Sequence, residues 1–211
     1  MAVQQQHLAR VDHRRIADLV LFGFTGAEFV ALILLTPDFT IVEWIYVLEN
    51  LFVLGIAFAR HPPVLQDRSL PSAIAVAVSL TYPYAQVIWL GWTDGYDGWE
   101  TGGFVLVLLA ACLSFASLLS LGRFFGFRPA LRGLATRGAY RFVRHPMYLA
   151  YFIGDIGYEL YAWNAGTLLL VLAGWASLIY RIRVEERILA QGEGWTAYTN
   201  TVHYRLLPGI W

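Results

Sequence analysis

Gly102-Gly103-Phe104-Val105-Leu106-Val107-Leu108-Leu109-Ala110-Ala111-Cys112-Leu113-Ser114-Phe115-Ala116-Ser117-Leu118-Leu119-Ser120-Leu121 contains no charged side chain and stops at Gly122-Arg123. A helix needs about 20 mostly apolar residues to cross the hydrocarbon of a bilayer, and this stretch meets that length. Three further segments upstream do the same: Ile16–Leu35, ending at Thr36-Pro37-Asp38; Ile41–Ala59, ending before Arg60-His61-Pro62-Pro63; and Pro71–Trp92, whose proline suits a first helical turn. Downstream, a basic loop from Gly122 to His145 leads into two shorter apolar stretches, Met147–Trp163 and Ala165–Tyr180. Only Asn164 separates them, which predicts a tight helical hairpin, each arm marginal as a crossing. The tail from Arg181 to Trp211 is polar, with one helix expected over Glu185–Tyr198.

Composition agrees. Of 211 residues, 58% are hydrophobic and 14% charged, and the mean hydropathy is +0.54. A water-soluble domain carries about 25% charged residues, so these charges are too few to cover a globule of this size. A bilayer removes the conflict, provided every backbone group is satisfied within helices. The expected fold class is all-α, a polytopic transmembrane bundle of about six crossings. The polar N-terminus runs straight into a long apolar segment, which reads as a first span and not as a cleaved signal. Cys112 stands alone in an apolar run, so no disulfide framework or cysteine metal site is expected.

All fifteen basic residues are arginines. They fall at the N-terminus (Arg10, Arg14, Arg15), after the second segment (Arg60, Arg68), after the fourth (Arg123, Arg128, Arg132, Arg137, Arg141, Arg144) and in the tail (Arg181, Arg183, Arg187, Arg205). The alternate loops hold Asp38, then Asp94, Asp97 and Glu100. Basic loops stay cytosolic, so six crossings with both termini cytosolic put every arginine on one side. No second soluble domain is visible. The chain divides into residues 1–121, four spans expected to select a substrate, and 122–211, the basic loop, hairpin and tail.

Five acids interrupt the apolar segments: Glu28, Glu43, Glu49, Asp155 and Glu159. A charge near the bilayer centre costs at least about 2.5–3.5 kcal/mol, so these side chains are expected to hydrogen-bond between helices or to serve a site. Asp155 and Glu159, four apart, share one helix face. The densest polar cluster is Gly138-Ala139-Tyr140-Arg141-Phe142-Val143-Arg144-His145-Pro146-Met147-Tyr148. Pro146 fits the first turn of a helix, whose positive end then lies among arginines and favours an anion. A second cluster, Arg181-Ile182-Arg183-Val184-Glu185-Glu186-Arg187, is brought to the same membrane face by the hairpin. As a plain structural feature it would carry intrahelical ion pairs between Arg181 and Glu185. Neither Gly-x-Gly-x-x-Gly after a strand nor a phosphate-binding Walker loop occurs, which excludes the soluble nucleotide folds. The five histidines are too scattered for a metal site.

At these residues the sequence resembles the isoprenylcysteine carboxyl methyltransferase family and the related phospholipid methyltransferases. The resemblance spans about Leu121 to Trp211. It is carried by Gly133-Leu134-Ala135-Thr136-Arg137-Gly138-Ala139-Tyr140, by Arg144-His145-Pro146-Met147-Tyr148, and by Glu185-Glu186 followed by Tyr198 and Pro208. It implies a cytosolic pocket for S-adenosyl-L-methionine touched by Arg132, Gly133, Leu134, Ala135, Tyr140, His145, Pro146, Met147, Tyr148 and Glu185. It also implies that Arg181 faces the methyl acceptor, with Arg181 and Glu185 as the catalytic pair. The chain departs from the family at Ala150, where glycine is usual, and at Gly192-Glu193-Gly194-Trp195, where Phe-Gly-x-x-Tyr is frequent.

The residue types suit that chemistry. Methyl transfer from a sulfonium is an in-line displacement needing no metal. Tyrosine faces stabilise a sulfonium, and positioning in a water-poor site carries most of the rate. A carboxylate acceptor is already nucleophilic, so carboxyl O-methylation is favoured; an amine acceptor would need a base such as Asp155, Glu159 or Glu186. The expected partners are a lipophilic or lipidated substrate and membrane lipids, without nucleic acid. Two other readings exist. Membrane sterol reductases share an Arg-His-Pro-x-Tyr element and a Tyr-Arg-Leu-Leu-Pro-Gly ending, here Tyr204 to Gly209, and use NADPH. A non-enzymatic membrane scaffold would keep the pocket without its activity.

Overall fold

The computed structural model describes residues 41–93, 96–97 and 99–211, with 23, 26, 27, 30, 33 and 34 before them. The expected first span, Ile16–Leu35 with Glu28, lies outside the described residues apart from those six, and so does the side chain of Glu43.

Five main helices follow in order: α1 (Ile41–Ala59), α2 (Leu70–Trp92), α3 (Glu100–Leu121), α4 (Pro146–Tyr161) and α5 (Ala165–Leu189). A short α6 (Trp195–Thr201) closes the chain. Local chemistry sets these boundaries. Ser69 caps α2, its hydroxyl accepting from the Ser72 N–H at 3.4 Å, with Pro71 in the first turn. Asn164 caps α5 through a 2.8 Å bond from the Gly166 N–H. Pro146 opens α4 where its missing N–H has no helical partner to lose.

The helical hairpin is present, but its second arm is not marginal. α5 has 25 residues and continues past Tyr180 to Leu189. Its charged turns still bury Ile182, Val184 and Ile188, so packing extends the helix beyond the apolar run. The single helix expected over Glu185–Tyr198 is split in two. Gly194, at φ +80°, takes a left-handed conformation that would strain any other residue, and α6 starts anew after it.

α2, α3 and α5 are long and apolar enough to cross a membrane; α1 and α4, with 19 and 16 residues, are shorter. Large apolar side chains such as Phe58, Leu70, Leu119 and Leu169 are exposed on the outside, a surface suited to lipid and not to water. α3 and α4 meet backbone to backbone: a Cβ on Gly103 would fall 2.5 Å from the Tyr161 nitrogen, and one on Gly157 2.9 Å from the Gly103 oxygen. Small residues permit that approach between helices in lipid.

Two-residue strands tie the loops. β1 (Leu65–Gln66) pairs antiparallel with β3 (Ala130–Leu131) at one end, and β2 (Tyr96–Asp97) with β4 (Ala162–Trp163) at the other. The His61 N–H also donates to the Arg123 carbonyl at 2.8 Å, and those of Arg144 and His145 donate to Tyr204 and Arg205 at 2.9 Å. The loops that carry Arg60, Arg68, the 123–144 arginines and Arg205 therefore gather at one end of the bundle.

A polar ladder joins α2 to α4 and its hairpin turn. Tyr82 Oη donates to Asp155 Oδ2 at 2.9 Å, Gln86 Nε2 to Glu159 Oε1 at 3.2 Å, and Trp89 Nε1 to Asn164 Oδ1 at 3.1 Å. Ser114 donates to Glu49 Oε1. Three of the intramembrane acids, Glu49, Asp155 and Glu159, are thus hydrogen-bonded between helices, as a buried polar group requires.

Candidate functional site

The loop from Gly122 to His145 folds into two short 3-10 turns, Gly122–Phe124 and Gly138–Arg141, around the β3 pairing. The second turn buries Tyr140 against the end of the bundle where the basic loops gather, and the Ser120 hydroxyl accepts from the Ala139 N–H at 3.1 Å. Burial pushes the Tyr140 phenol well above its ordinary range, with Glu185 adding to the rise, so it is a neutral hydrogen-bond donor at any working pH.

A small polar cavity of about 30 Å³ opens here. Six of the sequence-derived residues line it: Arg132, Tyr140, His145, Met147, Tyr148 and Glu185. Met147 and Tyr148 belong to the first turn of α4, so the positive end of that helix meets the cavity. Tyr148 Oη donates to Glu185 Oε2 at 2.9 Å, which couples α4 to α5. Gly133, Leu134, Ala135 and Pro146 do not line this cavity; Gly133 lies under the Phe124 ring, and Pro146 is fully buried in its turn. Residues the motif did not indicate complete the wall: Leu121, Phe124, Gly126, Arg128 and Ala130. A Cβ on Gly126 would meet the Arg132 guanidinium and displace the end of that side chain.

Arg181 and Glu185 form no intrahelical ion pair. Arg181, 5% exposed, reaches across the bundle: Nη1 donates to Ser79 Oγ at 2.6 Å and Nη2 to the Phe127 carbonyl at 2.8 Å. Its guanidinium carbon stands 5.4 Å from the centroid of the Tyr148 ring, within cation–π range. Arg181 faces a second, larger cavity of about 130 Å³ lined by residues of α1 to α5. That lining is largely apolar, with Glu49, Asp155, Tyr82 and Tyr151 among the polar exceptions. Gly126 and Met147 line both cavities.

The paired acids have separate tasks. Glu185 faces the polar cavity, whereas Glu186 holds two arginines and a histidine ring: Arg144 at 3.0 Å, His145 Nε2 at 3.3 Å and Arg205 at 2.7 Å. This hub holds the His145-Pro146 entry of α4 against the tail. Tyr198, the motif tyrosine of the tail, donates from Oη to the Tyr140 carbonyl at 2.7 Å. Burial pushes its phenol up to about 12, against the pull of Arg144, so the bond persists at neutral pH. Tyr198→Phe leaves a buried carbonyl unsatisfied and is expected to lower stability by about 1–3 kcal/mol; urea unfolding followed by tryptophan fluorescence in detergent measures it.

This is the architecture of a helical integral membrane protein with a polar pocket where its basic loops gather. Residues 103–191 match the family model for isoprenylcysteine carboxyl methyltransferases, the family of membrane methyltransferases that the loop and hairpin motifs resemble. No curated protein matches the chain. The match begins inside α3 and ends just after α5, so Tyr198 and Arg205 lie beyond it.

Proposed function

We propose that this protein is an S-adenosyl-L-methionine-dependent methyltransferase acting on a lipophilic acceptor, with carboxyl O-methylation the favoured reaction. It crosses the membrane six times in this reading, with both termini and the polar pocket on the cytosolic side. The observation that carries it is the common wall at Gly126 and Met147: a charged cavity abuts an apolar one, as a transfer between a polar nucleotide donor and a lipid-soluble acceptor requires.

The donor set of the polar cavity fits the cofactor's charges. Glu185 suits an amino group or ribose hydroxyls, and Arg128 and Arg132 suit a carboxylate. Among the described residues the buried Arg128 Nε has no hydrogen-bond partner, a group a ligand would satisfy. The tyrosine rings of positions 140 and 148 suit a sulfonium. A volume of about 30 Å³ admits the nucleoside only when the long side chains of Arg128 and Arg132 swing aside. S-adenosyl-L-methionine, when bound, supplies an electrophilic methyl group. Arg181 orients an acceptor carboxylate in the apolar cavity, whose exclusion of water leaves the oxygen lone pair unhydrated and aligned.

Calorimetric titration of the detergent-solubilised protein with S-adenosylhomocysteine, with NADPH in parallel, tests this reading. Saturable binding of S-adenosylhomocysteine alone is expected, weakened at least tenfold in Glu185→Ala and in Tyr148→Ala. Unchanged binding in both variants would refute the site. Binding of NADPH alone would make the protein a reductase, and binding of neither ligand would leave a scaffold.

A further inference from the structure

The apolar cavity carries more polar chemistry than a plain hydrocarbon slot needs. Glu49 projects from α1 and Asp155 from α4, and both line it together with Arg181. Asp155 is 3% exposed; both of its hydrogen bonds, from Tyr82 and Trp175, fall on Oδ2. Ser114 takes Oε1 of Glu49. Among the described residues each carboxyl therefore keeps one oxygen that these bonds do not use, in a cavity walled by Val53, Val87 and Val107. No ion pair links either carboxyl to Arg181, whose hydrogen bonds go to Ser79 and Phe127 and whose buried Nε has no hydrogen-bond partner among the described residues. One cation and two carboxyls line the same largely apolar cavity without an ion pair among them, and a polar atom left there without a partner is costly.

The complement of that arrangement is a particular kind of molecule. We propose that the acceptor carries a hydrogen-bond-donating group, a hydroxyl or an amine, along its apolar body, received by Glu49 and Asp155 while its carboxyl end lies at Arg181. This rests on the methyltransferase reading and narrows its substrate class. An acceptor that is pure hydrocarbon beyond its carboxyl end offers no donor to the second oxygen of either acid. A site built to hydrogen-bond a substrate group discriminates strongly against the analogue lacking it.

Three 16-carbon carboxylic acids test it: unsubstituted, hydroxylated at mid-chain and aminated at mid-chain, with binding to the full-length protein measured by equilibrium dialysis in detergent. The expected result is at least tenfold tighter binding of a donor-bearing acid than of the unsubstituted one. That preference falls below twofold in Glu49→Leu and Asp155→Leu. Glu49→Gln and Asp155→Asn keep an acceptor oxygen and the bonds to Ser114, Tyr82 and Trp175, so they guard against misfolding: a hydroxyl preference survives in them and an amine preference is lost. Equal binding of the three acids, binding of none, or a preference that all four variants leave intact overturns the proposal. Titration with S-adenosylhomocysteine, which involves neither carboxyl, separates this failure from that of the methyltransferase reading.

Discussion

Glu186→Ala is expected to lower the free energy of unfolding by about 3–5 kcal/mol, the cost of stripping one partner from a buried ion cluster. Glu186 is 8% exposed and is bonded to Arg144, His145 and Arg205. Without it three cationic or protonatable groups crowd together with no carboxylate among them, and the Arg205 segment loses its anchor on α5. The entry of α4 then loosens, so S-adenosylhomocysteine binding is expected to weaken as well. Thermal unfolding in detergent, with and without that ligand, measures both. A melting temperature within 1–2 °C of the parent, where a loss of this size should move it by several degrees, would show that the hub contributes little. Glu185→Ala provides the contrast. It removes a cavity carboxylate with a single tyrosine partner, so ligand binding falls while stability changes much less.

Gly126→Val is expected to reduce methyl transfer by about 100-fold or more, the scale on which misplacing a reacting group by an ångström acts. The added side chain occupies the wall common to both cavities and meets the Arg132 guanidinium. The acceptor cavity keeps its apolar lining elsewhere, so binding of a lipophilic acid is expected to persist while turnover is lost. Single-turnover transfer of labelled methyl groups, beside acceptor binding by dialysis, separates the two. Wild-type turnover in a correctly folded Gly126→Val protein would place the transfer path elsewhere.

Much of the helix layout was legible because length and apolarity decide it. Ile41–Ala59 has the same bounds in the sequence reading and the structure, and α2 and α3 differ by one or two residues at their starts. The end of α5 was not legible, because the charges from Arg181 to Arg187 look like an exit from the membrane while Ile182, Val184 and Ile188 remain packed inside. The site divides the same way. Tyr140, His145, Tyr148 and Glu185 were identifiable from a motif whose parts lie around one hairpin. Phe124, Gly126 and Arg128 depend on the path of an irregular loop, which periodicity does not predict. The sequence spacing of Arg181 and Glu185 suggested an ion pair, yet Arg181's partners are Ser79 and Phe127, 102 and 54 positions away. Long-range hydrogen bonding outweighed a local pairing worth only about 0.2–0.5 kcal/mol.

The strand pairings on either side of α2 have a mechanical consequence. Leu65–Gln66 before the helix is fastened to Ala130–Leu131, and Tyr96–Asp97 after it to Ala162–Trp163. A rod held at both tips cannot slide like a piston without breaking one of its ties; it can only bow. Pro83 sits within α2, lines the apolar cavity, and lacks the N–H that would bind the Ser79 carbonyl. The bow therefore flexes at the residue pair that holds Arg181 through the Ser79 hydroxyl. Widening the cavity for a bulky guest and re-aiming its cation become one and the same deformation.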